Sequence, residues 1–140
     1  MIYRRTIPVE FNHCDPAGIV FYPRYFEMTN SVVENFFAER LGWPFARITM
    51  EERHGVPTAR IEADFLRPSR LGDRLEFTLV VRRVGRTSVG FSLAARGGVD
   101  LRMTADLTLV WVTPQGRAAP WPADIRARLL DHISEEGTEP

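Results

Sequence analysis

The sequence predicts an α+β fold, a long central helix wrapped by a curved antiparallel five-stranded sheet, and three patterns carry that reading. Five runs alternate apolar and polar residues with a period of two, which gives a strand one buried and one wetter face. One stretch, Pro23 to Leu41, instead repeats apolar residues at three- and four-residue steps over more than a narrow stripe. A helix of that kind must be enclosed. The last strand run, Val99 to Trp111, exceeds the roughly 5–6 residues of an average strand and suits a twisted, curling sheet.

In chain order, the first strand sets Tyr3, Ile7, Val9 and Phe11 against Arg4, Thr6 and Glu10. The Pro/Gly turn Asp15–Gly18 leads into the helix, whose apolar surface runs from Tyr25 and Phe26 through Val32 and Val33 to Phe36, Phe37 and Leu41. Pro23 sets its first turn, and Gly42 offers a C′ stop with Pro44 close behind. The connection Trp43–Val56 has room for one further helical turn. Ala59, Ile61, Ala63 and Phe65 then alternate with Thr58, Arg60, Glu62 and Asp64. Leu75, Phe77, Leu79 and Val81 alternate with Arg74, Glu76, Thr78 and Arg82, and Val89, Phe91, Leu93 and Ala95 form the next apolar face. Breaks at Gly72-Asp73, Gly85-Arg86 and Gly97-Gly98 are short enough for hairpins or tight connections. A short amphipathic helix over Pro122–Ile133 presents Ile125, Leu129 and Ile133, and the polar Ser134–Pro140 is expected to fray.

At 140 residues the chain, 1–140, is read as a single domain. Its 18 basic and 18 acidic residues balance, so no global field favours nucleic acid or an anionic membrane. Every cationic side chain apart from histidine is Arg. The absence of Lys excludes Schiff-base chemistry and a P-loop lysine, and leaves anions to guanidinium groups or backbone N–H groups. No apolar window reaches the roughly 18 residues of a membrane span, and Met1–Arg5 lacks a signal-peptide core. A lone cysteine, Cys14, forms no internal disulfide and fits a reducing compartment; cytoplasm is the expected location.

The segment Phe11–Tyr25 carries the chemistry. Asp15 stands in a Pro/Gly turn just ahead of a helix, where unpaired N–H groups gather. A carboxylate can attack or activate water there while N–H groups hold a developing oxyanion, which is the equipment of acyl transfer. Asp before Pro is equally common in turns that do no chemistry. Glu27 on the helix is the rival acid; its ordinary reading is a solvated partner for Arg24. His13 and Cys14 are sequence neighbours that an extended backbone points to opposite faces, so they make a poor nucleophile pair, and Cys14 is read as inert. His54 is expected in a solvent-facing loop, and His132 in the last helix has no evident partner. Three scattered His and one Cys show no metal-site spacing, so no metal is expected.

Asp15-Pro16-Ala17-Gly18-Ile19-Val20, followed by Phe21, Tyr22, Pro23 and Tyr25, resembles the active-site segment of the 4-hydroxybenzoyl-CoA thioesterase group of hotdog-fold enzymes. The hotdog architecture matches the element order read above. The resemblance implies metal-free hydrolysis of an acyl-CoA thioester, with Asp15 as nucleophile or general base. It also implies an oxyanion hole built from the backbone N–H of Tyr22 and of Gly18 or a neighbour. Phe21 is the best candidate for the acyl pocket. Arg86, Thr87 and Ser88, with Arg83 beside them, align with the hairpin that meets the CoA phosphates, although a solvated polar turn would look the same. No cofactor is implied, since CoA is part of the substrate. A homo-dimer or tetramer with shared sites is implied, and open sheet edges argue the same way. His13 departs from the group, which commonly carries an acid at that position. Aromatic acyl groups are favoured and short ones remain open, as does acyl carrier protein in place of CoA. A hotdog dehydratase or hydratase, and a non-catalytic acyl-thioester binding module, are the competing readings.

Overall fold

The computed structural model describes residues 1–133, so the expectation for Ser134–Pro140 lies outside the described residues. Alternation becomes five strands: β1 (Ile2–Pro8), β2 (Thr58–Phe65), β3 (Arg74–Val84), β4 (Ser88–Gly97) and β5 (Asp100–Val110). They form one antiparallel sheet in the order β1-β3-β4-β5-β2. The register stacks Leu79 on Leu93 and Ala105, and Val81 on Phe91 and Leu107, so one continuous apolar face results. Across it lies α1 (Arg24–Arg40), with Met28, Val32, Val33, Phe36 and Phe37 all buried. This is the hotdog arrangement. No helix among the described residues is long and apolar enough to cross a membrane.

Four local expectations are corrected. The helix is not enclosed all round: Glu27, Asn30 and Glu34 stay exposed, because the sheet covers only the side bearing the large apolar residues. Phe11 and Val99 are 84% and 95% exposed. β1 ends at Pro8 and Phe11 opens a single 3-10 turn, while Val99 sits in the β4–β5 turn, so alternation ran past both strand ends. His54 is half-buried where a solvent-facing position was expected, its ring stacked on that of Trp111 at 5.1 Å. His132 is buried, its ring edge 5.4 Å from Phe36 and its Nδ1 2.8 Å from the Arg128 carbonyl, because the last helix packs on the core.

Other local expectations are met. The Gly72-Asp73 break is a tight connection, since β2 pairs with β5 and the chain crosses over to reach β3. Gly42 adopts φ +71° just past the helix end, a left-handed stop that glycine tolerates best. The stretch Trp43–Val56 contains one π-helical turn, Arg47–Glu51. The final helix, α2 (Ala123–Asp131), buries Ile125 and Leu129 and is tied to the far end of α1 by Trp43 Nε1 donating to Asp124 Oδ2 at 2.8 Å. β2 is different from its neighbours. Ile61 and Ala63 are only half-buried and Phe65 is 43% exposed, as expected of an edge strand with one side unpaired.

Candidate active site

Local hydrogen bonds account for the shape of the Asp15 turn. The Asp15 N–H donates to the Ile19 carbonyl at 2.9 Å, and the Gly18 N–H returns to the Asp15 carbonyl at 2.9 Å. Asp15 Oδ1 accepts the Ala17 N–H at 2.9 Å, the side-chain turn that Asp forms readily. Gly18 closes the loop at φ +79°, and a Cβ there would meet nothing within 4 Å. Backbone conformation alone demands the glycine. Ahead of the turn, His13 Nδ1 accepts the Glu10 N–H at 2.9 Å and the His13 carbonyl accepts the Phe21 N–H at 2.9 Å. The departure at His13 is therefore occupied by a cap that shapes the approach to Asp15.

Asp15 is partly exposed and lines an open cavity of about 300 Å³ with Asn12, Cys14, Pro16, Phe21 and Arg24. Its Oδ2 takes no protein donor among the described residues. At the mouth of α1 the Arg24, Tyr25 and Phe26 N–H groups turn back onto the carbonyls of Phe21, Tyr22 and Pro23. The Tyr22 N–H donates to no protein group among the described residues. Gly18, expected as a second donor, has its N–H committed to Asp15 by the same tight turn that needs its positive φ. The neighbouring Ile19 N–H is left without a protein acceptor among the described residues.

Phe21 is 49% exposed beside Asp15, and Tyr22 is 57% exposed over a second cavity of about 210 Å³. That cavity is lined also by Ile19, Val20, Tyr25, Phe65 and Leu66. Phe65 stacks on Tyr25 at 5.6 Å and meets Tyr22 edge-on at 5.7 Å. Sequence reading had Phe65 as an ordinary inward strand residue. Only its place at the end of an edge strand, just before Leu66-Arg67-Pro68, could have marked it out.

The turn is also held from behind by residues that sequence reading missed. The Ser69 carbonyl accepts the Val20 N–H at 2.8 Å, and the Leu71 N–H donates to the Gly18 carbonyl at 3.2 Å. Ser69 is fully buried, and its Oγ accepts the Tyr25 hydroxyl at 2.8 Å. Burial is the main cause holding the Tyr25 phenol above its ordinary value, which keeps it a proton donor. Arg102 donates to Asp73 Oδ2 at 2.8 Å, and this bond is the chief reason the Asp73 carboxyl lies below its ordinary value. A depressed carboxyl contributes stability above its unfolded value of about 3.9 and loses it as pH falls through the lower folded value. Acid unfolding followed by circular dichroism should therefore show a shallower loss of stability below about pH 4 for Asp73→Asn than for the native chain.

The basic hairpin is not brought to Asp15 within one chain. The carbonyls of Arg86 and Thr87 accept the N–H groups of Trp121 and Trp111, at the end of the molecule where Trp121 faces Phe37 at 6.4 Å. That is the C-terminal end of α1, whose 17 residues span about 25 Å. Arg86 is exposed, whereas Arg83 is committed to Thr108 Oγ1 at 3.0 Å and Ser88 Oγ at 3.3 Å. Glu27 is paired with Arg24 at 2.7 Å in an exposed ion pair, in line with its ordinary reading.

Residues 9–129 match the thioesterase-like superfamily. The chain is 33% identical to a 4-hydroxybenzoyl-CoA thioesterase of Pseudomonas sp. (strain CBS-3), over 83% of this chain and 89% of that protein. A crystal structure of an Asp-to-Asn mutant of 4-hydroxybenzoyl-CoA thioesterase complexed with 4-hydroxybenzoyl-CoA superposes with a TM-score of 0.81 at 27% identity, covering 91% of this chain and 98% of that one. A 1,4-dihydroxy-2-naphthoyl-CoA thioesterase from Synechocystis shares the fold, with a TM-score of 0.84 at 19% identity over 94% of this chain and 97% of that one.

Proposed function

The chain belongs to the thioesterase-like superfamily and is a thioester hydrolase, and from that premise we propose that it cleaves acyl-CoA with Asp15 as the reacting carboxylate, favouring aromatic acyl groups. The observation that carries the reading is a carboxylate with one oxygen oriented by the Ala17 N–H and the other unpartnered, in the same short segment as the unpaired N–H of Tyr22 at the mouth of α1. Asp15 attacks the thioester carbon or draws a proton from the attacking water. The Tyr22 N–H, at the positive end of α1, takes up charge on the carbonyl oxygen. CoA leaves as the thiol and the acid is released, with no cofactor beyond the substrate itself. The exposed rings of Phe21, Tyr22 and Phe65 suit a flat apolar acyl group better than a short polar one. Relatives that act on hydroxybenzoyl- and dihydroxynaphthoyl-CoA point the same way. The setting is cytoplasmic, in keeping with a lone unpaired cysteine.

Thiol release from a panel of aromatic and aliphatic acyl-CoAs tests this. We expect kcat/KM for benzoyl-type substrates at least roughly tenfold above that for acetyl-CoA. No release from any member would overturn the reading, and an aliphatic preference would remove its aromatic part.

The reading includes a dimer joined through the open edge of β2, which would cover Phe65 and Leu66, both exposed in the single chain. Arg86, Thr87 and Ser88, with Arg83 bracing them, would hold the CoA phosphates for the partner's site, since about 25 Å of helix separates them from Asp15 in their own chain. Mixed dimers of Asp15→Asn and Arg86→Glu then regain one complete site each. Co-expression should restore about a quarter of native activity at limiting substrate. Sites complete within one chain would give no recovery, and light scattering that finds a monomer would remove the dimer.

A further inference from the structure

We propose that Arg102 is a positioning residue for hydrolysis, holding the Asp15 turn and the first turn of α1 in one frame through Ser69; this rests on the reading of Asp15 given above. β5 carries a bulge at this residue: Ala95 pairs with Met103 and Arg96 with Leu101, so Arg102 is left out of the β4–β5 ladder. Bulges re-aim side chains, and this one sends the guanidinium to the crossover between β2 and β3. There the two protons of a single nitrogen, Nη1, are shared among three acceptors: Asp73 Oδ2 at 2.8 Å, Ser69 Oγ at 3.1 Å and the Pro68 carbonyl at 3.1 Å. Gly97 leaves room for the group, since a Cβ there would overlap the guanidinium.

Ser69 is where the two halves of the site meet. Its carbonyl holds Val20 at one end of the Asp15 turn, and its hydroxyl takes the phenol of Tyr25 from α1. Asp73 completes the frame by accepting the Arg70 N–H at 2.9 Å, beside the residues that pair with Ile19 and Gly18. The unpaired Tyr22 N–H lies between the two pinned segments. Its position relative to Asp15 is thus set by a buried hydroxyl that Arg102 orients. Small displacements of reacting groups are costly in rate, of the order of 10²-fold for about 1 Å. In the reading above the CoA phosphates are held by the partner's hairpin, away from this frame, so the loss falls mainly on kcat.

The test has an arm that needs no catalysis. Cys14 is the only cysteine in the chain and lines the cavity with Asp15, so its labelling rate by an aromatic disulfide reports on the turn. We expect Arg102→Met to lower kcat by about 10²-fold with KM within about threefold of native, and to speed Cys14 labelling severalfold. Arg102→Lys, which keeps a donor with several protons at one point, should recover most of both. Tyr25→Phe, which keeps the ring stacked on Phe65, should move both readouts the same way by less, and it carries the test if Arg102→Met does not fold. Native kcat and labelling in Arg102→Met, or in Tyr25→Phe when that variant carries the test, would overturn the proposal. Equal losses in the Met and Lys variants, or losses matching the unfolded fraction by circular dichroism, would do the same. A native protein that releases no thiol would remove the hydrolase reading instead, and the labelling arm would still decide whether Arg102 holds the turn.

Discussion

Asp15→Asn is expected to lower kcat for aryl-CoA hydrolysis by about 10²–10⁴-fold, the range lost when a positioned proton-transfer group is removed. The fold should be untouched. An Asn side chain keeps the oxygen that accepts the Ala17 N–H, and the bonds from Asp15 N–H to Ile19 and from Gly18 N–H to Asp15 are backbone to backbone. The turn therefore keeps its shape while losing its charge and its basicity. Steady-state thiol release alongside a thermal melt separates the two effects, and an Asn variant within about threefold of native kcat would remove Asp15 from the chemistry. Asp15→Ala is the less informative change, because it also deletes the side-chain turn. Single turnover in ¹⁸O water tests for the nucleophilic role of Asp15. Label entering the protein carboxylate marks an anhydride opened by water at Asp15, whereas label in the product acid is given both by direct attack of water and by an anhydride opened at the acyl carbon.

Much of this site was legible in the sequence because it is local. Asp15, Gly18, Phe21 and Tyr22 lie within one short segment, and short-range rules for Asp, Pro and Gly govern such segments. The same holds for the helix, whose stop at Gly42 was visible. What could not be read is what arrives from elsewhere. Ser69 and Arg102 are separated by 33 residues, and nothing in a polar loop or an alternating strand announces that they meet. A bulge made the difference at Arg102: strict alternation would have assigned it to the wetter face beside Thr104. Phe65 was misjudged for a related reason, since period-two patterning shows which face a residue is on and is silent about whether that face is covered. Val99 and Phe11 failed at strand ends, where a hydrophobic pattern continues by chance after the ladder stops. Tyr22 and Gly18 show the complementary limit. Both were candidate donors by position, and only the hydrogen bond from Gly18 to Asp15 separates them.

Phe36→Ala is expected to cost about 3–5 kcal/mol of folding stability, the usual range for deleting a buried Phe. Phe36 is 1% exposed and its ring lies 5.4–6.1 Å from those of Tyr3, Phe37, Phe91 and His132. Those neighbours come from β1, α1, β4 and the segment after α2, so no single element can shift to fill the void without breaking another contact. Tyr3 is held besides by its hydroxyl donating to Glu39 at 2.9 Å, and His132 by the Arg128 carbonyl. The cavity should stay largely open, which places the loss toward the upper part of the range. Urea unfolding at one fixed protein concentration checks it, because partner binding would otherwise add to the apparent stability. The midpoint should fall with little change in slope. Phe65→Ala is the matched control. Its ring is 43% exposed over the cavity beside Tyr22 in the single chain, so its loss should cost less than that of Phe36, only what the partner's cover of β2 adds, and should raise KM for aryl-CoA. A stability loss at Phe36 no greater than that at Phe65 would mean that the ring set against the sheet and the ring set over the cavity have been assigned the wrong way round.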